Sequence, residues 1–186
     1  LLLYGMSMLY GATGSLELSR IAQAIYHHGG DKTVLMFGLV FIVAGLAFKL
    51  GVVPFHMWVL DVYQGAPSSV TAFMSIGAKA AGFAALLRVF VTALPSLAVD
   101  LTPILWALAA ATMILGNLAA IAQANIKRML AYSSIAHAGY ILMALVPYGN
   151  PAVASEAVAA ALLYLVAYAL TNFAAWSVVI TLEHAD

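Results

Sequence analysis

The segment AFKLGVVPFHMW, Ala47 to Trp58, places a lysine and a proline at the end of a long apolar run. Lys49 is one of only seven Lys and Arg residues in 186, and Pro54 follows it by five positions. Proline removes a backbone donor and clashes with the preceding turn, so a helix is interrupted here. Two readings follow. Pro54 ends a helix at a membrane surface, with Phe55, His56 and Trp58 as an interfacial belt. Alternatively the chain beyond Pro54 still lies at membrane depth, where a broken helix survives only inside protein or beside a wet cavity. If residues 33–61 were fully helical they would span about 43 Å, against ~30 Å of hydrocarbon. Lys49 then sits near mid-depth, but only in the second reading.

The membrane setting comes from composition. The chain is 65% hydrophobic and 8% charged, where a soluble domain carries roughly 25% charge. Zero net charge leaves no basic footprint for nucleic acid. The absence of cysteine excludes disulfides, thiolate metal sites and cysteine-ligated iron–sulfur clusters within this chain. The opening LLLYGMSMLYGATGS has no charged leader and makes a poor signal peptide. With the abrupt end at TLEHAD, it reads as an internal piece of a longer protein.

Apolar runs predict an all-α polytopic bundle of five or six spans: the end of one at 1–12, then about 34–53, 69–93, 103–123, 130–146 and 153–182. Residues 13–33 read as a polar connector holding Glu17, Arg20, His27, His28, Asp31 and Lys32. DVYQGAPSS, Asp61 to Ser69, reads as a turn-rich linker. Pro95 closes the third span, and Pro103 suits the first turn of the fourth. QANIKR, Gln123 to Arg128, and PYGNP, Pro147 to Pro151, flank the fifth. Lysine and arginine counts cancel between the two sides, so charge alone leaves the orientation open.

Lys79 lies eleven residues after Ser68 and fourteen before Pro95, again central. Either lysine could snorkel to an interface, but two at mid-depth on consecutive spans make that account strained. A buried intramembrane lysine costs several kcal/mol and is by default a functional-site hypothesis. Two ammonium groups ~10 Å apart on adjacent helices repel by ~1.7 kcal/mol at an effective dielectric of 20, which favours proton exchange. All seven acids, Glu17, Asp31, Asp61, Asp100, Glu156, Glu183 and Asp186, fall in connectors or near span ends, so a carboxylate partner must come from elsewhere. Thr71, Ser75 and Lys79 share one helix face. Ser133, His137 and Tyr140 form a second polar face, and Tyr164, Tyr168, Thr171 and Asn172 a third. Such faces hold waters for proton transfer or simply hydrogen-bond packed helices together. His137 is a candidate proton relay or a packing histidine.

The stretch from Phe48 to Arg88, FKLGVVPFHMWVLDVYQGAPSSVTAFMSIGAKAAGFAALLR, resembles the antiporter-like membrane subunits of respiratory complex I. Asn125 to Leu145, NIKRMLAYSSIAHAGYILMAL, is similar to that family's second signature, and LYGATGS, Leu9 to Ser15, fits its subunit N branch. The resemblance implies fourteen transmembrane helices with two inverted five-helix repeats. Residues 1–93 would end the first repeat and 103–182 would begin the second, within a multi-pass bacterial inner-membrane protein. It implies a broken helix carrying Lys49 before Pro54, and a Lys79 that passes protons toward the centre. His137, and more remotely His56, Ser75 and Thr71, would be relay candidates. The Pro54–Ser68 and Lys127–Arg128 connectors would face the cytoplasm. Partners would be other complex I membrane subunits and the bilayer, and no cofactor would be bound here. NADH, FMN, iron–sulfur clusters and quinone would be handled by the rest of a proton-pumping NADH:quinone oxidoreductase. A multisubunit cation/proton antiporter or membrane-bound hydrogenase shares the fold. A structural scaffold, with its lysines paired to neighbouring subunits, is the remaining alternative.

Overall fold

The computed structural model describes residues 1–28, 32–93 and 98–185. The described residues form helices and turns, with no strand among them. Helix α1 (Leu2–Thr13) closes on Gly14, whose left-handed φ of 71° lets its N–H return to the Tyr10 carbonyl at 2.7 Å. Next come α2 (Leu18–His28), α3 (Lys32–Leu50) and α4 (Met57–Gly65). Helix α5 (Ser68–Phe73) runs through a π turn (Met74–Ala78) into α6 (Lys79–Arg88) and a second π turn (Val89–Ala93). Helices α7 (Ala98–Ile121), α8 (Ile126–Leu145) and α9 (Ala154–Glu183) complete the order, with a 3₁₀ turn (Val146–Gly149) before α9.

Five segments among the described residues are long and apolar enough to cross a membrane: Thr33–Leu50, Ser68–Val91, Leu101–Ile121, Ile126–Gly149 and Ala154–Glu183. Phe37, Phe73, Trp106, Leu118 and Leu163 point outward, as suits a bundle whose surroundings are hydrocarbon or further protein.

Several boundaries differ from the sequence reading. The 13–33 connector contains α2, which starts where Ser15 Oγ accepts the Glu17 N–H at 3.1 Å and which buries Ile21. Asp61 to Gly65 are helical, so the predicted linker shrinks to Ala66 and Pro67. Helix α7 begins at Ala98, which puts Pro103 inside it rather than in its first turn. Helix α8 begins at Ile126 because Asn125 caps it, accepting the Arg128 N–H at 3.1 Å. Pro95 and Asp31 lie outside the described residues, as do the side chains of His27, His28, Lys32 and Asp100.

Helix α3 stops at Leu50, three residues earlier than expected, because Gly51 adopts φ +71°. A Cβ there would be strained and would also lie 2.6 Å from Val59 Cγ2. Gly51→Ala is therefore expected to cost about 2 kcal/mol, read as a lower melting temperature of the detergent-solubilised full-length subunit.

Two ionic contacts share one end of the bundle, apart from the local Arg20–Glu17 pair. Arg128 reaches Asp61 at 3.3 Å and Gln64 at 2.8 Å, and Lys127 pairs with Glu183 at 2.7 Å. The α4 segment, the start of α8 and the end of α9 thus share that end, so the 54–68 and 127–128 connectors lie on the same side. Asp61 and Arg128 are solvent-accessible, so their pairing contributes at most about 1 kcal/mol.

Candidate functional site

Lys79 is 3% exposed, at the junction of the π turn and α6. Its ammonium donates to the Ser134 carbonyl on α8 and stands 6.0 Å from the centre of the Tyr168 ring on α9. The Tyr168 hydroxyl lies 2.9 Å from Ser134 Oγ and 3.3 Å from the Ser75 carbonyl. Ser75 Oγ donates to the Ala72 carbonyl at 2.8 Å and accepts from Asn172 Nδ2 at 2.5 Å. Three helices thus enclose one ammonium with neutral groups only, and no carboxylate belongs to the set. A lysine held this way is a donor when charged and an acceptor when neutral, the requirement for taking up and releasing a proton. The π turn beside it widens the helix locally, a feature frequent at functional sites.

A second group continues from the first. The His137 ring lies 4.9 Å from the Tyr168 ring, and its Nδ1 is 2.9 Å from the Tyr164 hydroxyl. Tyr164 and Tyr140 rings are 6.1 Å apart, and the Tyr140 hydroxyl accepts from Asn117 Nδ2 at 2.8 Å. Asn117 is on the exposed side of α7. Polar side chains therefore line a track from buried Lys79 across α9 and α8 to the surface of α7.

Lys49 has a different setting. It is exposed on the bundle surface, in the last turn of α3. Its Cγ lies 4.0 Å from where a Gly82 Cβ would stand. Gly82 is one turn beyond Lys79 on α6, so Lys49 packs against the helix that carries Lys79, within ~4.5 Å of rise from it. Beyond Lys49 the chain opens. The Val53 N–H donates to Thr112 Oγ1 on α7 at 3.1 Å, and the Trp58 indole N–H donates to the Phe48 carbonyl at 2.7 Å. Thr112 is nine residues from Ile121, the end of α7, or about 14 Å along the helix. That is close to half the ~30 Å hydrocarbon thickness. Val53 is therefore tied to about mid-height of α7, while Pro54 itself is exposed. Trp58 serves the break and is no simple belt residue.

The other candidates separate. Thr71, Ser75 and Lys79 are all buried, yet Thr71 bonds the Tyr63 and Pro67 carbonyls at the α4–α5 turn, apart from Lys79. His56 is the half-buried residue preceding α4, outside the Lys79 set. Thr171 is exposed and bonds its own helix. Ser134, 1% exposed, takes the inward place, while Ser133 is half-buried. Helical periodicity cannot choose between two adjacent serines. Thr112 gave no sequence signal, having no polar residue three or four positions away on its helix.

The chain matches, over residues 1–186, the family model described as "NADH:quinone oxidoreductase/Mrp antiporter, TM". It is 50% identical over 188 residues to NADH-quinone oxidoreductase subunit N of Azoarcus sp. (strain BH72), covering 100% of this chain and 38% of that protein. It is 51% identical over 187 residues to the subunit N of Herminiimonas arsenicoxydans, covering 99% and 38%. It thus spans about 38% of the length of these relatives. Among solved structures it resembles a chain of respiratory complex I from Thermus thermophilus with bound aureothin. There the TM-score is 0.75 at 42% identity, over 96% of this chain and 36% of that one. A chain of the Mrp complex from Dietzia sp. DQ12-45-1b gives a TM-score of 0.82 at 24% identity, over 94% and 31%, a likeness of fold. The resemblance carried by Phe48–Arg88, Asn125–Leu145 and Leu9–Ser15 is borne out, and the chain is a multi-pass, all-helical segment of a bacterial inner-membrane protein. It belongs to the NADH:quinone oxidoreductase/Mrp antiporter transmembrane family.

Proposed function

We propose that this chain is the central part of a proton-translocating membrane subunit of a NADH:quinone oxidoreductase. It moves protons across the membrane while other subunits carry electrons from NADH to quinone. NADH, FMN, iron–sulfur clusters and quinone bind in those other subunits, and this chain contributes the proton path. The observation that carries the reading is Lys79, buried among the Ser134 carbonyl, the Tyr168 ring and neutral side chains. A permanent charge there is costly, and a proton carrier is the role that needs a group able to lose its charge. Lys49, packed against α6 at the open break, is the switching site that exchanges protons with Lys79. A carboxylate from the remainder of the subunit faces Lys49 and sets its charge. His137 with Tyr164 and Tyr140 forms the outlet from Lys79. His56 remains a relay candidate at the break. Residues 1–93 close the first helical repeat and 103–182 open the second.

The cation/proton antiporter reading shares this geometry, since the Mrp chain has the same fold. Half-identity to two subunit N proteins favours the oxidoreductase. The reading is tested with Lys49→Ala in the full-length subunit, measuring proton uptake into sealed vesicles against NADH oxidised. Pumping is expected to fall strongly in a complex that assembles normally. An assembled complex with the wild-type ratio would remove Lys49 from the path.

A further inference from the structure

The break after α3 poses an accounting question, because buried backbone N–H groups must find acceptors. The Gly51 N–H returns to the Phe48 carbonyl at 3.1 Å, Val52 to Ala47 at 2.9 Å and Phe55 to Val52 at 2.7 Å. Pro54 has no N–H. The Val53 N–H is the one of these that leaves the segment, donating to Thr112 Oγ1 at 3.1 Å, 59 residues away in sequence. In an uninterrupted helix that N–H would return to the carbonyl four residues back, which is that of Lys49. Gly51 has already turned the chain out of the helix, so Thr112 does not end α3; it ties the chain beyond Gly51 to α7.

Thr112 is suited to the task. It is 0% exposed, and its hydroxyl proton is committed to the Leu108 carbonyl at 2.5 Å. The oxygen is thus left as an acceptor in a fixed direction. One turn further along α7, Gly116 lies against the α8 backbone at Ala136. This contact sets the depth and rotation of α7, and with it the position of the Thr112 hydroxyl.

We propose that Thr112 is a positioning residue for Lys49, its hydroxyl anchoring the chain just beyond Gly51 to α7 and so fixing the end of α3 that carries Lys49. The inference rests on the proton role proposed for Lys49. With the hydroxyl in place, the last turn of α3, which carries Lys49 and ends at Leu50, is held in position against α7. Without it, Val53 has no acceptor on α7. The part-buried N–H is then unsatisfied, and the end of α3 loses its tie to α7.

The test compares Thr112→Val, Thr112→Ser and Lys49→Ala in the full-length subunit. Proton uptake into sealed vesicles is measured per NADH oxidised, with assembly checked in each. Valine keeps the shape and loses the acceptor, while serine keeps the acceptor and loses a methyl. The expected result is about tenfold slower translocation in Thr112→Val, as an unsatisfied buried donor implies, with Thr112→Ser close to wild type. Wild-type pumping in Thr112→Val overturns the proposal, and so does an equal loss in Thr112→Ser, which would make the methyl packing decisive. Should Thr112→Val fail to assemble, Thr112→Ala replaces it, and a loss with alanine but not with serine supports the proposal. Equal behaviour of alanine and serine overturns it. Lys49→Ala separates the two levels. A loss there beside normal Thr112→Val removes Thr112 alone, whereas normal pumping in Lys49→Ala removes the underlying reading.

Discussion

Lys79→Met in the full-length subunit is expected to leave the assembled complex at least as heat-stable as wild type while removing most of its proton translocation. The two effects have opposite signs because they come from different terms. Lys79 is 3% exposed and is partnered by a carbonyl and an aromatic ring. Holding a charge in such surroundings costs several kcal/mol. Methionine fills a similar elongated volume with a flexible apolar chain. What it forfeits is one hydrogen bond, worth about 1 kcal/mol. The Ser134 carbonyl is not orphaned, since it lies inside the continuous helix α8. The melting temperature should therefore hold or rise. Translocation should fall because the buried amine that takes up and releases the proton is gone from the junction of α6, α8 and α9. A residue kept for stability would show both quantities falling together.

Gly116→Val is expected to be the most damaging change to the fold itself. A Cβ at Gly116 would lie 2.8 Å from the Ala136 nitrogen and 3.0 Å from its Cα. The reciprocal contact is at Gly139, where a Cβ would lie 2.9 Å from the Met113 nitrogen and 3.1 Å from the Ala109 carbonyl oxygen. Helices α7 and α8 therefore meet backbone to backbone, and no side chain can rotate away to make room. Between membrane helices, packing of this kind supplies much of the association energy, because lipid gives no hydrophobic drive. Forcing the pair apart should cost about 3 kcal/mol. It also displaces Thr112 on one helix and Ser134 and His137 on the other. The measurement is the amount of assembled complex in membranes together with its melting temperature. Gly11→Ala is the matched control, because nothing lies within 4 Å of its Cβ position. It should leave stability unchanged or raise it by up to about 1 kcal/mol, because alanine favours a helix over glycine.

Much of the fold was legible because lipid imposes a simple code. Long apolar runs become helices, and their approximate ends follow from length alone. The polar faces were also legible. Lys79, Ser75, Tyr168 and Asn172 repeat at helical spacing and converge in space. What escaped depends on contacts between distant segments. Helix α2 was hidden because its charged residues suggested a connector, although Ile21 gives it a buried side. The depth of the Pro54 break was open in the sequence, since it turns on which residue of another helix stands beside Val53. The Thr112 contact ties Val53 to about mid-height of α7. Thr71 illustrates the limit of periodicity: it shares the Lys79 face yet spends its hydroxyl on the preceding turn.

The central claim is that Lys79 carries the translocated proton. Its most direct test is the number of protons taken up per NADH oxidised in sealed vesicles, comparing wild-type and Lys79→Met complexes matched for assembly. A clearly lower ratio in Lys79→Met is the predicted result. An unchanged ratio in an intact complex would contradict the account.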